Sequence, residues 1–232
     1  RIRMERQRPM PRLRPSFITF DCYGTLTNFR MGEVARAHFA GRVPAAEMDA
    51  FLGSFSAYRL DEVLGAWKPY AEVLDNAIRR TCRKHGIASQ EGDGDVFYRA
   101  VPGWGPHPDV PEPLKRVAKE FPLVILSNAS DEQIHSNVAK LEAPFHAVFT
   151  AEQAQSYKPR MKGFEYMLDR LGTRPEEVLH VSSSFRYDLM TAHDLGITMK
   201  AWVNRGHEPR GNTFYGYHEI PDIGGLPGLL GL

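Results

Sequence analysis

The sequence predicts an α/β protein: a doubly wound, Rossmann-like parallel sheet core with an inserted all-helical block. Three observations predict it. From about residue 110 to residue 203, short apolar runs rich in β-branched residues alternate with amphipathic helical stretches. One further run of this kind, SFITF at Ser16 to Phe20, stands alone near the N-terminus. Between the two, residues 28–104 carry helical periodicity and no strong strand signal.

The elements follow in order. Ser16 to Phe20 reads as a buried strand ending at Asp21, with Gly24 breaking the pattern. Helical stretches follow at Glu33 to Gly41, Ala45 to Leu64 and Tyr70 to His85. In the last of these, Val73, Leu74, Ala77, Ile78 and Cys82 mark one apolar face. Ser89 to Asp95 is a polar turn region. Helix Pro111 to Glu120, with proline at its start, precedes strand Leu123 to Leu126. Then come helix Asp131 to Leu141, strand Ala147 to Thr150, helix Gly163 to Leu171, strand Val178 to Val181, helix Asp188 to Leu195 and strand Thr198 to Val203. Right-handed crossovers then make the sheet parallel. From Arg205 the chain reads as irregular, closing on a short apolar anchor, Leu226 to Leu232.

Composition narrows the function. Twenty-nine basic and 28 acidic residues give a net charge of +1, which leaves no global footprint for nucleic acid or an anionic membrane. No apolar stretch nears the roughly 20 residues that cross a bilayer. Two cysteines, Cys22 and Cys82, are too few for a disulfide framework, so a reducing cytoplasm is expected. The nine histidines contain no H-x-x-x-H pair, and no zinc site is expected. Arg1, Arg3, Arg6, Arg8, Arg12 and Arg14 face only Glu5 in the leader. It reads as a solvated tail, with organelle targeting or nucleic-acid contact as the other readings.

In a parallel α/β sheet, chemistry collects at the carboxyl ends of the strands. Those ends carry Asp21, Ser127-Asn128, Lys158 in a loop, and Ser182-Ser183-Ser184 followed by Asp188. Ser127 to Lys158 and Lys158 to Asp188 are 31 and 30 residues apart, about one βα unit each. Two carboxylates, an ammonium and a hydroxyl-amide pair are therefore expected to converge on one crevice. Asp21 is the candidate nucleophile, since a carboxylate can form a covalent ester that water later opens; a turn-forming cap is the plainer reading. Lys158 is its counter-charge, against a solvated surface lysine. Asp188 is the group that binds and activates water, against a structural acid at a helix start. Ser127 and Asn128 are hydrogen-bond donors to substrate oxygens, against a helix cap.

The run Asp21-Cys22-Tyr23-Gly24-Thr25-Leu26, with Ser127-Asn128, Tyr157-Lys158-Pro159 and Asp188 in order, resembles the haloacid dehalogenase superfamily of hydrolases. Within that superfamily it looks most like the L-2-haloacid dehalogenase branch. The resemblance spans roughly Phe17 to Arg205. It implies a helical cap at residues 28–104 and a core at 16–27 and 105–232, with the basic leader at 1–15 standing apart as a flexible segment. It implies a small haloacid as substrate, a homodimer, and no cofactor, with magnesium needed only if the protein is instead a phosphatase. Asp21, Lys158, Asp188 and Ser184 are then the catalytic set. Cys22, Tyr23, Thr25, Ser127, Asn128 and Arg59 form the substrate-binding set, although the Cys22 thiol itself reads as buried and inert.

Tyr23 bears on the chemistry. Superfamily phosphatases resemble one another in carrying an Asp there, because an alkoxide must be protonated as it leaves. Tyrosine, with a reference pKa of about 10, is a weak acid, and halide needs no proton. Ser183 likewise stands where a magnesium-binding Asp is usual, leaving Asp21 and Asp188 as the charged oxygen ligands. Other positions depart from the branch. Phe51 falls where a cap arginine is usual, and Arg59 is the substitute. Phe164 replaces a tyrosine, and the stretch Ser182 to Asp188 is one residue longer, with Arg186 inserted. Trp67, Trp104, Tyr58, Phe51 and Phe55 read as core before they read as a halide pocket. The alternatives are a magnesium-dependent phosphatase of the same superfamily, and a non-catalytic member kept as a binding module.

Overall fold

The computed structural model describes residues 12–232; most of the predicted leader, residues 1–11, lies outside them. Six strands form one sheet: β1 (Phe17–Phe20), β2 (Leu123–Ser127), β3 (Ala147–Thr150), β4 (Val178–Ser182), β5 (Met199–Val203) and β6 (His218–Ile220). Their order is β3-β2-β1-β4-β5-β6 and every pairing is parallel. The chain starts at the centre, winds outward to β3, and returns to start again at β4. The order therefore reverses between β1 and β4, where such sheets open a crevice at their carboxyl ends.

Alternation along the strands explains why they read as continuous apolar runs. Ile18, Phe20, Leu123, Ile125, Leu179 and Val181 pack on one face with Val110, Leu114 and Leu226. Val124, Leu126 and Val178 pack on the other with Phe164, Met167 and Ala192. A sheet covered on both faces needs apolar residues at both parities.

Between β1 and β2 the chain forms α1 (Met31–Phe39), α2 (Met48–Leu64), α3 (Tyr70–Lys84) and α4 (Asp95–Ala100). These helices have a separate core built on Phe39, Phe51, Phe55, Leu74, Ile78 and Phe97. The buried face of α3 runs Val73, Leu74, Ala77, Ile78, Thr81 and Cys82, the i, i+4 spacing that one helix stripe requires. The remaining helices are α5 (Pro111–Ala118), α6 (Asp131–Ala139), α7 (Ala151–Ala154), α8 (Met161–Leu171), α9 (Met190–Asp194) and α10 (Leu226–Leu230).

Several expectations are corrected. The helix expected from Ala45 begins as a single tight turn, Ala45–Glu47, and only Met48–Leu64 is α-helical. The segment after Arg205 is not wholly irregular, because β6 extends the sheet edge beside β5. Asp188 does not open a helix. It lies inside a wide turn, Phe185–Leu189, ahead of α9, in which the Leu189 N–H donates to the Ser184 carbonyl five residues back at 3.1 Å. Such a turn takes up an extra residue in a helix start, which is where the sequence is one residue long. The leader is anchored before residue 15: Leu13 N–H donates to Leu229 O at 3.2 Å and Arg14 Nη1 to Leu230 O at 2.9 Å.

Candidate active site

A cavity of about 390 Å³ lies between the carboxyl ends of β1 and β4 and the helices α2 and α3. Its core-side wall includes Asp21, Asn128, Lys158 and Asp188. Its helical wall includes Arg59, Leu60, Val63, Tyr70 and Val73. The volume suits a small organic acid.

Lys158 organises the charges. Its Nζ, only 2% exposed as a residue, donates to Asp21 Oδ1 at 3.0 Å, to Asp188 Oδ1 at 2.9 Å and to the Leu126 carbonyl at 2.8 Å. All three donor hydrogens are thereby used. Burial works against the ammonium, but the two carboxylates outweigh it and hold Lys158 above the ordinary lysine value. The backbone of Lys158 is held in turn by Asn128, which donates from Nδ2 to its carbonyl at 2.9 Å and accepts from its N–H at 2.7 Å.

The two carboxylates differ. Asp21, 9% exposed, reaches the cavity. Burial pushes its pKa up against the pull of Lys158, and the charge of Asp188 adds to the push. The Thr25 hydroxyl donates to Asp21 Oδ2 at 2.7 Å and fixes its orientation. Asp188 is fully buried, yet Lys158 and His180 hold its pKa down against that burial. His180 Nε2 lies 2.8 Å from Asp188 Oδ1. Asp188 Oδ2 is buried and has no hydrogen-bond partner among the described residues. Two carboxylates pushed apart in pKa are suited to different tasks.

Gly24, with φ of +89°, turns the chain after β1, a conformation that favours glycine. The same loop carries Tyr23, whose ring lines the cavity but whose hydroxyl donates to Asn137 Oδ1 at 2.7 Å. Burial raises the Tyr23 pKa well above the ordinary phenol range. That proton is thus committed to α6 and is not an acid for a leaving group.

Arg59 lies in the cavity wall, its guanidinium 4.3 Å over the Phe55 ring and 5.5 Å from the Phe29 ring centre. Burial lowers its pKa, but arginine stays charged, and no carboxylate pairs with it among the described residues. A desolvated guanidinium without a carboxylate partner attracts negative charge.

Other expected residues fall elsewhere. The Cys22 thiol is packed in the sheet core, its pKa pushed up by burial to about 12, and it does not line the cavity. Ser127 is 1% exposed with an unpartnered hydroxyl, and it too lies behind the cavity wall. Ser184 lines the cavity, but its hydroxyl donates to Glu208 Oε1 at 2.6 Å and accepts from the Tyr187 N–H. Asn128 spends its carbonyl and one N–H on Lys158 rather than on a ligand. Phe51 is core, packed between Phe39 and His85, and none of Trp67, Trp104, Tyr58 and Phe55 lines the cavity. The apolar wall comes instead from Phe29, Leu60, Val63, Tyr70 and Val73. Thr19, His180, His207 and Glu208 were not singled out by the sequence. For His180 the signal was present: a polar residue inside an otherwise apolar strand.

No group of three or more His, Cys, Asp or Glu side chains able to hold a metal occurs among the described residues. No helix among them is long and apolar enough to cross a membrane.

Fold and site together define an α/β protein with a charged crevice at the reversal point of its sheet, where proteins of this architecture bind ligands. A family model for haloacid dehalogenase-like hydrolases matches residues 16–196, and the chain belongs to this family. The (S)-2-haloacid dehalogenase of Pseudomonas sp. strain YL is 28% identical over 212 residues, covering 88% of each chain. The solved structure of L-2-haloacid dehalogenase from Xanthobacter autotrophicus with chloropropionic acid covalently bound has a TM-score of 0.74, at 22% identity over 93% of this chain and 98% of that one. HAD-hydrolase YfnB from Bacillus subtilis bound to magnesium has a TM-score of 0.79, at 16% identity over 95% and 100%. At these identities the two structures speak for the fold.

Proposed function

We propose that the protein is a 2-haloacid dehalogenase, a hydrolase that converts short 2-haloalkanoic acids to 2-hydroxy acids through an ester on Asp21. The observation that carries this reading is one cavity lined by both the Asp21 carboxylate and the unpaired Arg59 guanidinium. The first can attack carbon and the second can receive the departing halide.

The first step is a displacement. An Asp21 carboxylate oxygen attacks C2 from the side opposite the halogen, the C–O bond forms as the carbon–halogen bond breaks, and halide leaves with the bonding electrons. Lys158 and Thr25 hold Asp21 in place, so little orientation remains to be found at the moment of reaction. Halide is a weak base and needs no proton, which suits a site whose Tyr23 proton is committed elsewhere. In the second step water attacks the Asp21 carboxyl carbon while Asp188 takes its proton. The tetrahedral intermediate collapses, and the leaving 2-hydroxy acid oxygen takes the proton back. Asp21 is released as the acid and ionises to solvent. Inversion at C2 occurs once.

The route uses no metal. A reducing, cytoplasmic setting accords with the two free, buried cysteines, and a homodimer accords with the family resemblance. Chloride release from 2-chloropropionate, measured beside phosphate release from a phosphomonoester panel with and without magnesium, tests the reading. Chloride release without added metal is expected. Phosphate release with no halide from any haloacid would establish the phosphatase instead.

A further inference from the structure

Behind Asp188 lies a polar pair that the two chemical steps do not use. His180 and Thr19 are lateral neighbours in the register of β4 and β1, beside the point where the strand order reverses. Both are fully buried; the other residues of β1 are apolar, as are those of β4 apart from its last, Ser182. His180 Nδ1 is 2.7 Å from Thr19 Oγ1, and His180 Nε2 is 2.8 Å from Asp188 Oδ1. The Phe164 ring closes the other side, edge-on to the imidazole at 5.0 Å between centres.

One hydrogen can be assigned from chemistry. An ionised carboxylate only accepts, so His180 Nε2 carries a hydrogen and donates it to Asp188. Thr19 Oγ1 has a second acceptor within reach, the Leu179 carbonyl, but at 3.4 Å against 2.7 Å. The short contact at Nδ1 holds the ring from its far side, so that Nε2 faces Asp188. Asp188 Oδ1 then receives two donors, Lys158 and His180, while Oδ2 receives none. The arrangement pins the carboxylate by one oxygen and leaves the other to take a proton.

We propose that His180 is a positioning residue for the hydrolytic step and that Thr19 holds its ring in place. This rests on the reading of Asp188 as the base of the second step. His180 touches neither substrate nor Asp21, so its removal slows ester hydrolysis and leaves ester formation alone. A merely structural role would affect both steps.

The test is rapid-quench kinetics of the full-length protein with 2-chloropropionate, following the chloride burst and, by intact-protein mass spectrometry, the ester on Asp21. In H180F the burst rate is expected to stay within about twofold of the wild type. Steady-state turnover falls about 10- to 100-fold, the size of a lost hydrogen bond to a charged group, and the ester accumulates. H180Q, which returns an amide N–H donor, recovers most of the turnover. T19V slows hydrolysis several-fold with an unchanged burst, and it carries the test with H180Q should H180F fail to fold. Equal losses in both steps, or unchanged hydrolysis in H180F and T19V, would overturn the proposal. A wild-type protein that releases no halide from any haloacid and never carries the ester would overturn the dehalogenase reading itself, and this one with it.

Discussion

Asn128 and Lys158 exchange two hydrogen bonds: Asn128 Nδ2 donates to the Lys158 carbonyl at 2.9 Å, and the Lys158 N–H donates to Asn128 Oδ1 at 2.7 Å. The end of β2 thereby fixes a loop 30 residues further on, and with it the ammonium that meets both carboxylates. Replacing Asn128 by Ala leaves two backbone groups of Lys158 without these partners. Stability is expected to fall by about 1–3 kcal/mol, with turnover falling at least tenfold as Lys158 loses its position. Urea denaturation and chloride release on the same preparation check both effects.

The acid limb of the pH profile should belong to Asp21. The attacking group must be ionised, and burial holds its pKa above the ordinary aspartate value while Asp188 is held below it. Activity is therefore full above the raised value and lost as pH falls through it. The expected midpoint of kcat/KM for halide release lies above about 3.9, the ordinary aspartate value. A midpoint at or below that value contradicts the ordering of the two carboxylates.

Arg59 carries the halide in this scheme. Arg59→Met keeps an unbranched stem against Phe55 and Phe29 but removes the cation. Chloride release is expected to fall at least tenfold, with inhibition by added chloride or bromide weakened in parallel. Retention of both would place the halide elsewhere in the cavity.

A structural carboxylate supplies a separate check on the helical segment. Asp93, 2% exposed, accepts from Arg42 and from the Gln90 N–H and lies 2.7 Å from His38 Nε2. Although burial opposes it, these donors lower its pKa from 3.8 to about 2. A carboxylate lowered on folding stabilises above its unfolded value, and that contribution is lost as pH falls from about 4 towards 2. The shift corresponds to about 2 kcal/mol. Asp93→Asn should lower stability by about that much at pH 7, with the gap narrowing below pH 4 in denaturant titrations.

Much of this site was legible because its chemistry lies at strand ends. Parallel strands buried on both faces read as short apolar runs, so Asp21, Lys158 and Asp188 fell at visible boundaries. What stayed hidden depends on rotation and register. Whether Arg59 faces the cavity or solvent depends on the turn of α2 about its axis, which the weakly amphipathic sequence of that helix does not specify. Thr19 and His180 meet only because β1 pairs with β4 in one particular register. Strand β6 is three residues long, His218–Ile220, too short for periodicity to announce. Asn128 looked like a substrate donor because nothing local marks a partner 30 residues away.

The most direct measurement is a single turnover of a 2-haloacid in heavy-oxygen water with enzyme in excess. Hydrolysis at the Asp21 carboxyl carbon puts the heavy oxygen on Asp21 and leaves the 2-hydroxy acid unlabelled, because its new oxygen comes from the protein. Heavy oxygen in the product, with none on Asp21, would mean that water attacks carbon directly and would contradict the ester route.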